Sequence, residues 1–259
     1  MSDSWLIASW NVNSLRVRLG QVLRVLDEYQ PDVLALQETK VQDADFPLSE
    51  LSASGYHCLF AGQKTYNGVA LLARDDALTL AMTEFPDFPD PSRRVLVSHV
   101  GDMRIVNVYV PNGSEVGSDK YTYKLNWLQG LIGFLGEAAQ TPSVVLGDFN
   151  IAPDDRDVHD PALWQGRILC SEPERAALAR LEQLGYRDCY RLHTQDAGVY
   201  SWWDYRAASF RRNLGLRIDL LLANAPLAER CLGAGVWREP RAWEQASDHA
   251  PVWARFARA

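Results

Sequence analysis

Residues Val144 to Asn150 read Val-Val-Leu-Gly-Asp-Phe-Asn, an apolar run that predicts a buried β-strand ending in a carboxylate and an amide. Asp148 can accept a proton or bind a hard cation, and Asn150 offers both a hydrogen-bond donor and an acceptor. Gly147 permits a close approach of another backbone segment. The combination suits a site that holds a water molecule against a phosphate, although a strand-to-loop turn with Asx capping has the same pattern.

Short apolar runs and amphipathic stretches lie on both sides of this segment. The apolar runs predict β-strands over residues 5–10, 32–37, 68–73, 95–100, 103–110, 217–223 and 252–256. Helical spacing of apolar residues predicts helices over about 15–29, with Ser14 as the N-cap, about 119–139 and about 172–184. Strands in pairs and threes between helices favour an α/β (α+β) fold with two mixed, mainly antiparallel sheets flanked by helices.

The chain is long enough for a sizeable core, with 259 residues of which 47% are hydrophobic and 23% are charged. No linker-like, low-complexity or repeated segment divides it, so we expect one domain over residues 1–259. The N-terminal residues lack the basic start and apolar core of a secretory signal, and no run of about 18 apolar residues could span a bilayer. We therefore expect a cytoplasmic protein that does not contact membranes.

The charge excludes one broad class of nucleic-acid-binding protein. A net charge of −7 and an isoelectric point near 5.3 argue against a protein that coats nucleic acid by bulk electrostatics, but they leave a nuclease possible. Eight cations are candidates for phosphate contacts, although each alone would more often be a solvated surface cation. Residues 204–217 contain four arginines and only one aspartate. The eight candidates are these arginines, Arg206, Arg211, Arg212 and Arg217, and four residues elsewhere, Arg93, Arg94, Lys120 and Lys124.

The cysteines are expected to be buried, reduced and without a functional role. The four of them are far apart in the sequence and form no CxxC pair, which disfavours a disulfide framework and a zinc site. They are Cys58, Cys170, Cys189 and Cys231.

Six short motifs follow one another in a fixed order along the chain. They are Ile7-Ala8-Ser9-Trp10-Asn11-Val12-Asn13, Leu36-Gln37-Glu38-Thr39-Lys40, Asn107-Val108-Tyr109-Val110-Pro111-Asn112-Gly113, Gly147-Asp148-Phe149-Asn150, Arg217-Ile218-Asp219 and Ser247-Asp248-His249-Ala250-Pro251. Each is weak alone. Together, over residues 6–256, they resemble the exonuclease III family of abasic-site endonucleases, within the DNase I-like endonuclease/exonuclease/phosphatase superfamily. The resemblance implies a four-layer α/β-β/α sandwich, in which two β-sheets lie between layers of helices.

Glu38, Asn11 and Asp248 are the candidate metal-binding residues. Glu38 closes a predicted buried strand, where an ionised carboxylate is costly without a partner, and oxygen ligation suits Mg²⁺, for which Mn²⁺ would substitute. The resemblance implies that Glu38 is the main ligand, that Asn11 supports the metal, and that Asp248 binds the metal directly or through a neighbour. Pairing of Glu38 with Lys40 or an arginine, and an Asx turn at Asn11, are the structural alternatives.

Five further residues are candidate catalytic groups. Asp148 and Asn150 resemble the pair that positions and deprotonates the attacking water, and Tyr109 resembles the phenol that contacts the scissile phosphate. Tyr109 could instead activate the nucleophile or protonate the leaving group, but a phenol of ordinary pKa near 10 is a poor base at neutral pH. Because adjacent residues of a strand point apart, Asp219 is expected to orient His249. His249 would then carry a proton and stabilise the oxyanion.

Two segments resemble loops that grip DNA. Residues 200–206 resemble the loop that lines the pocket for a base-less sugar, with Trp202 as an apolar wall for a flipped-out deoxyribose. Arg206 or Phe210 would wedge the duplex open from a groove, while one of Trp202 and Trp203 is expected to be a core aromatic. Residues 63–68 resemble a second loop that touches the DNA backbone. The expected DNA contacts are Lys64, Tyr66, Asn67, Arg93, Lys120, Trp202, Arg206, Phe210 and Arg211.

The resemblance implies a metal-dependent DNA repair phosphodiesterase that acts on duplex DNA. It would cut 5′ to abasic sites, leaving a 3′-hydroxyl and a 5′-deoxyribose phosphate, and would also process blocked 3′ ends as a 3′-phosphatase or 3′-to-5′ exonuclease. We expect a monomer. One alternative is a catalytically weak or inactive RNA-binding regulator of the same fold, which the presence of all the candidate catalytic and metal residues disfavours. The other is a phosphatase or phospholipase of the superfamily, which the lack of an amphipathic membrane-binding segment disfavours.

Overall fold

The computed structural model describes residues 3–74, 78–136 and 141–259, which form strands and helices from one end of the chain to the other. The strands are β1 (Ser4–Asn11), β2 (Val33–Gln37), β3 (His57–Ala61), β4 (Val69–Ala73), β5 (Thr79–Met82), β6 (Val95–Val100), β7 (Met103–Tyr109), β8 (Ser143–Asp148), β9 (Arg187–Asp188), β10 (Asp219–Ala223), β11 (Cys231–Val236) and β12 (Val252–Ala257). The α-helices are α1 (Leu15–Glu28), α2 (Leu48–Ala53), α3 (Asp119–Gly136), α4 (Pro161–Trp164), α5 (Glu172–Gln183), α6 (Cys189–His193), α7 (Ser209–Arg212) and α8 (Ala225–Ala228). Short 3₁₀ helices cover Asp43–Asp45, Asp155–Asp157, Arg206–Ala208 and Glu239–Ala242.

The strands form two six-stranded sheets. The first sheet has the order β11-β12-β1-β2-β4-β3, and the second has the order β5-β6-β7-β8-β10-β9. Each sheet contains one parallel pair, β1 with β2 and β7 with β8, and the other neighbouring strands are antiparallel. The predicted pair of mixed, mainly antiparallel sheets is therefore confirmed.

Three apolar layers hold the sheets and helices together. Ile7 and Leu146 lie in the layer between the two sheets, where both are fully buried. Leu15 of α1 packs on the outer face of the first sheet, whereas Trp127 of α3 and Leu178 of α5 pack on the outer face of the second. Burial of one such side chain contributes about 1.5–3 kcal/mol, so the four-layer arrangement follows from the apolar faces of its elements.

The strand directions bring the predicted motifs to one end of the sandwich. The parallel strands β1 and β2 end at this point, and so do β7 and β8 in the second sheet. The antiparallel strands β12 and β10 begin there. The residues at the ends of β1, β2, β7 and β8 and at the starts of β10 and β12 therefore lie close together, although they are far apart in the sequence.

The predicted strands and long helices are present with bounds that differ by a few residues, and four further strands had not been predicted. Those four, β3, β5, β9 and β11, are the outer strands of the two sheets. Most of their residues are exposed or half-buried, so they lack the continuous apolar pattern of the central strands. The predicted helix over 119–139 is observed as α3, and its last three predicted residues lie outside the described part of the chain.

Ser14 occupies the predicted N-cap position of α1, but its side chain does not cap the helix. Ser14 precedes α1 with a φ of 95°, and its hydroxyl makes no capping hydrogen bond. The N–H of Leu15 instead donates to the carbonyl of Thr39 at 2.9 Å, and the N–H of Ser14 donates to the carbonyl of Glu38 at 2.8 Å. The first turn of α1 is thereby fixed to the loop that carries Glu38. Separately, no helix within the described residues is long and apolar enough to cross a bilayer.

Candidate active site

Strand pairing in the second sheet places three candidate residues side by side. Asp148, the last residue of β8, is opposite Asp219, the first residue of β10, and beside Tyr109, the last residue of β7. Directly paired residues present their side chains on the same face of a sheet. Gly147 makes this register possible, because a Cβ at that position would lie 1.9 Å from the carbonyl oxygen of Val108.

His249 lies against two of these carboxylates. Its Nδ1 is 2.9 Å from Oδ2 of Asp219, and its Nε2 is 3.8 Å from Oδ2 of Asp148. Burial disfavours the charged imidazole, but the charges of Asp219 and Asp148 outweigh it and raise the pKa of His249 to about 10. The predicted contact between His249 and Asp219 is present, and the imidazole carries a proton at neutral pH.

Asp148 is surrounded by hydrogen-bond donors. The side chain of Asn11 donates to its Oδ2 at 2.9 Å, and the backbone N–H and side-chain amide of Asn150 donate to its two oxygens at 2.8 and 3.2 Å. Burial raises the pKa of Asp148 to about 7, although the charge of His249 acts in the opposite direction. A carboxylate with this pKa can accept a proton from water near neutral pH.

Glu38 joins this group through Asn11. The amide of Asn11 donates to Oε1 of Glu38 at 2.9 Å as well as to Asp148, and its carbonyl oxygen accepts the N–H of Asn13 at 3.0 Å in an Asx turn. Oε2 of Glu38 lies 2.9 Å from Nζ of Lys40, so the predicted alternative of an ion pair with Lys40 is present. Burial acts to raise the pKa of Glu38, but Lys40 and Asn11 outweigh it and lower that pKa.

Backbone strain is concentrated in the loops of this site. Glu38 has a φ of 49° and Asn150 a φ of 50°, a left-handed conformation that costs residues other than glycine about 1–3 kcal/mol. Asn150 is held there by its amide, which donates to the carbonyl of Val110 at 3.0 Å, and by Asn112, which donates to its side-chain oxygen at 2.9 Å. Such strain persists where the surroundings fix a functional geometry.

The donor set fits a hard divalent cation. Asp148, Asp219 and His249 have ligand atoms that lie within 4.8 Å of one another. Oδ1 of Asp219 is buried and has no hydrogen-bond partner among the described residues, although a buried carboxylate oxygen is normally satisfied. Because His249 is protonated, the groups available to a cation are carboxylate oxygens, which Mg²⁺ and Mn²⁺ prefer.

Glu38 and Asp248 both lie outside this group, but hydrogen bonds from Asn11 join Glu38 to Asp148, and no described residue joins Asp248 to Asp148 in that way, which does not support the prediction of Asp248 as a direct metal ligand. Its carboxylate accepts hydrogen bonds from Nε1 of Trp202 and from the amide of Asn13, both at 3.0 Å. Burial acts to raise the pKa of Asp248, but the nearby His249 charge and these two donors outweigh it, so the pKa is lowered. Asp248 therefore positions Trp202 and Asn13 beside the site.

Two cations proposed as phosphate contacts are buried instead. Lys124 is fully buried, forms an ion pair with Glu174, and donates to the carbonyls of Asn150 and Asn112 at 2.7 and 3.1 Å. Arg217 is 1% exposed and pairs with two carboxylates, Asp157 at 2.6 Å and Asp188 at 2.7 Å. Both predictions were wrong, because pairing partners 29 to 60 residues away cannot be read from local sequence.

The loop with Lys64, Tyr66 and Asn67 lies beside Glu38. The carbonyl of Asn67 accepts the N–H of Lys40 at 2.9 Å, and the carbonyl of Arg93 accepts the N–H of Gly68 at 3.1 Å. The side chains of Lys64 and Arg93 are exposed, as is the ring of Tyr66 at 67%. Backbone hydrogen bonds therefore hold this loop in place, while its exposed side chains are available to contact a bound macromolecule.

The second predicted DNA-binding segment divides into a packed part and an exposed part. Trp203 is the core aromatic, 1% exposed, and Phe210 packs edge-on against it at 5.1 Å between ring centroids. That packing disfavours Phe210 as the wedge, whereas Arg206 is exposed and free to take that role. Trp202 is half-buried, its backbone pairs with that of His249 in an isolated β-bridge, and its Nε1 donates to the carboxylate of Asp248, the residue before His249. Arg211 and Lys120 are exposed.

Several positioning residues had not been predicted. The hydroxyl of Ser201 accepts the N–H of Asp219 at 3.1 Å, and the hydroxyl of Ser247 accepts the N–H of His249 at 3.2 Å while it donates to the carbonyl of Asn11 at 2.7 Å. Ser247 belongs to the Ser247-Asp248-His249 motif, so that motif was the available signal. Ser201 lies between Tyr200 and Trp202 and had no such signal.

Comparison with known proteins gives consistent matches over nearly the whole chain. Residues 8–249 match the model of the Endonuclease/Exonuclease/phosphatase family. The chain is 36% identical to exodeoxyribonuclease III of Haemophilus influenzae over 262 aligned positions, which cover 96% of this chain and 98% of that one.

Two solved structures are similar in fold and in sequence. A 3′-phosphatase from Neisseria, bound to a product DNA hairpin, is 44% identical with a TM-score of 0.92, over 97% of this chain and 99% of that one. An AP endonuclease from Archaeoglobus fulgidus is 36% identical with a TM-score of 0.93, over 97% and 99% of the two chains.

Proposed function

Because this chain belongs to the exonuclease III family, within the endonuclease/exonuclease/phosphatase family, we propose that it is a DNA repair nuclease that cuts 5′ to abasic sites. The observation that carries the proposal is the buried group of Asp148, Asp219 and His249 at the shared end of the two sheets. That group provides a proton acceptor near neutral pH, an imidazolium and an unpaired carboxylate oxygen. Hydrolysis of a phosphodiester requires a base to activate water, a charged donor to stabilise the phosphate oxygens, and oxygen ligands for a cation.

The enzyme is metal-dependent, as its family is, and we assign Mg²⁺ as the cofactor, with Mn²⁺ able to replace it. Glu38 and the unpaired Oδ1 of Asp219 would hold the ion, and Asn11 would orient Glu38 beside Asp148, which is left to act as the base. Lys40 would give up its ion pair with Glu38 in exchange. When bound, the ion neutralises negative charge that develops on the phosphate in the transition state.

The reaction then follows from the protonation states of the side chains. Asp148 accepts a proton from the attacking water, and Asn150 holds Asp148 in place through its backbone N–H and its side-chain amide. The water oxygen forms a bond to phosphorus while the bond from phosphorus to the 3′ oxygen breaks, and the departing 3′ oxygen takes up a proton from solvent water to become a hydroxyl. His249, charged and oriented by Asp219, donates a hydrogen bond to a non-bridging oxygen.

Tyr109 acts as a donor in this scheme. Burial and the neighbouring carboxylates of Glu38 and Asp148 raise the pKa of Tyr109 well above 10. A phenol with this pKa stays neutral, which disfavours it as a base and supports a hydrogen bond from its hydroxyl to the phosphate. The guanidinium of Arg94 lies 4.6 Å from the ring centroid and fixes the ring.

The substrate is proposed to be duplex DNA with an abasic site or a blocked 3′ end. Trp202, whose indole N–H donates to Asp248 next to His249, supports a wall for a base-less sugar, and Lys64, Tyr66 and Arg206 are exposed on the two predicted DNA-binding segments. Extrusion of a sugar without a base costs least, so such a pocket selects abasic sites. The similarity to a Neisseria 3′-phosphatase supports the second activity, removal of a 3′-phosphate. We further propose that the protein acts as a monomer in the cytoplasm.

Cleavage of three duplexes tests this function. The substrates carry one tetrahydrofuran abasic analogue, no lesion, or a nick with a 3′-phosphate, each with Mg²⁺ and with EDTA. With Mg²⁺, we expect the duplex with the analogue to be cut 5′ to the lesion, leaving a 3′-hydroxyl, and the nicked duplex to lose its 3′-phosphate. We expect no internal cut in the intact duplex, and no reaction of any substrate in EDTA. An uncut analogue with a processed nick would leave only the 3′-phosphatase function, and inertness on both would refute the proposal.

Glu38→Gln is expected to raise the Mg²⁺ concentration needed for half-maximal cleavage by at least about tenfold, because a charged ligand is lost while the side-chain volume is kept. Calorimetric titration of the DNA-free protein with Mg²⁺ should show the same weakening. Glu50→Gln, an exposed change on α2, serves as the matched control. If the two variants require the same Mg²⁺ concentration for half-maximal cleavage, the assignment of Glu38 as a metal ligand is wrong.

A further inference from the structure

Two cysteines that are far apart in the sequence meet on the far side of β10 from β8. Cys189 is the first residue of α6, Cys231 is the first residue of β11, and α6 packs against β11 so that both cysteines lie in the apolar layer between the two sheets. The last residue of α6, His193, places Nε2 at 3.4 Å from Sγ of Cys231. Cys189 is fully buried, whereas Cys231 is half-buried and His193 is exposed.

We infer that Cys189 and Cys231 form an oxidisable dithiol that reacts with a small hydroperoxide such as hydrogen peroxide, with Cys231 as the attacking sulfur and Cys189 as the resolving sulfur. The roles follow from position. Cys231 is half-buried and its sulfur contacts an imidazole, whereas Cys189 is fully buried. Neither cysteine belongs to the group of Asp148, Asp219 and His249, although Cys189 and Asp219 line the same small cavity. The inference gives a role to two thiols that were expected to have none.

The local environment favours a thiolate at Cys231. The hydrogen bond from Cys189 is the largest cause that lowers the pKa of Cys231, and His193 adds to it, while burial acts in the opposite direction. The pKa of Cys189 is raised, first by that same hydrogen bond and then by burial. The proton therefore stays on the buried sulfur, and the more exposed sulfur is the nucleophile.

The reaction consumes one peroxide molecule. The Cys231 thiolate attacks one peroxide oxygen, the O–O bond breaks, and the departing hydroxide takes up a proton to become water. Cys231 is now a sulfenic acid. The Cys189 sulfur then attacks the Cys231 sulfur, the S–O bond breaks, and a second water leaves with the proton of the Cys189 thiol. The two sulfurs together lose two electrons, which the peroxide gains.

The surrounding backbone can adjust to a disulfide. Cys231 lies at a β-bulge of β11, where the pairing with β12 shifts between Cys231 and Gly233, and β11 is an outer strand of the first sheet. Cys189 begins a helix of only five residues. A bulged outer strand and a short helix are less constrained than central elements, so small shifts can satisfy the strict geometry of an S–S bond.

Hydrogen peroxide treatment of the intact, Mg²⁺-free protein tests the inference. After the treatment, free thiols are alkylated under denaturing conditions and the protein is digested for mass spectrometry. We expect a peptide pair cross-linked through Cys189 and Cys231 and lighter by two hydrogen atoms. Cys58 and Cys170 are internal controls, because burial raises the pKa of each thiol to about 11, and both should be recovered alkylated. Oxidation of these two before Cys231 would overturn the inference.

Two variants separate the roles of the sulfurs, with circular dichroism as the check that each is folded. Cys189→Ser should accumulate a sulfenic acid at Cys231 that dimedone traps, and Cys231→Ser should leave Cys189 reduced. A Cys58→Ser/Cys170→Ser double variant should still form the cross-link at the wild-type rate. Loss of the cross-link in that double variant, or no dimedone adduct in Cys189→Ser, would contradict the assignment.

Discussion

His249→Ala is expected to lower kcat by about 10²–10⁴-fold while the affinity for DNA changes little, because the variant loses a charged donor that acts on the transition state. His249 is buried with Asp219 and Asp148, whereas the cations predicted to contact DNA, such as Lys64 and Arg206, are exposed. Single-turnover cleavage and a binding titration in EDTA on the same duplex measure the two quantities. His57→Ala, an exposed histidine on β3, is the matched control.

A second variant distinguishes a chemical role of His249 from a structural one. Asp219→Asn keeps the shape of the partner but removes one of the two charges that raise the pKa of His249. A lower pKa means that the imidazolium is lost at a lower pH, so the alkaline decline of kcat should move toward neutral pH. If His249→Ala instead abolishes DNA binding along with turnover, or if Asp219→Asn leaves the pH profile in place, the imidazolium has no role in the chemistry.

Glu174→Gln is expected to lower the free energy of unfolding by about 3–5 kcal/mol, since it leaves the ammonium of Lys124 buried without its counter-charge. Both side chains of this ion pair are 0% exposed. Burial already lowers the pKa of Lys124 in the presence of Glu174. Urea denaturation monitored by tryptophan fluorescence measures the change.

The control for this prediction is an ion pair at the surface. Glu28 pairs with Arg24 one turn away on α1 with both side chains largely exposed, so Glu28→Gln should leave the urea midpoint unchanged. Because Lys124 also holds the carbonyl of Asn150, Glu174→Gln should lower activity in the folded protein as well. Equal midpoints in the two variants would show that the buried pair does not stabilise the fold.

The central strands could be predicted because burial on both faces leaves a continuous apolar pattern in the sequence, which β8 shows in the second sheet and β2 and β4 show in the first. The long helices could be predicted because their buried faces leave apolar residues at helical spacing. The outer strands do not, since one edge and part of each face are exposed, and their residues resemble those of a loop. The burial of an outer strand depends on which other elements pack against it, so it cannot be predicted from the residues of that strand alone.

The candidate site was predictable to the extent that its residues follow or precede buried strands. The contact between Asp219 and His249 followed from the opposite directions of adjacent side chains in the Asp248-His249 pair. Lys124 and Arg217 were misread because a charged residue normally indicates the surface, and their buried partners lie far away in the chain. The catalytic roles of Asp148, Asp219 and His249 are predictions, and the variants of Asp219 and His249 described above test two of them.

The antiparallel pairing of β1 with β12 joins the two ends of the described chain, from Ser4 opposite Ala257 to Ser9 opposite Val252. His249 enters just before β12, whereas Asn11 closes β1. Because β1 can pair with β12 only after nearly all of this chain has been synthesised, Asn11 and Glu38 leave the ribosome well before the predicted site can be completed by His249.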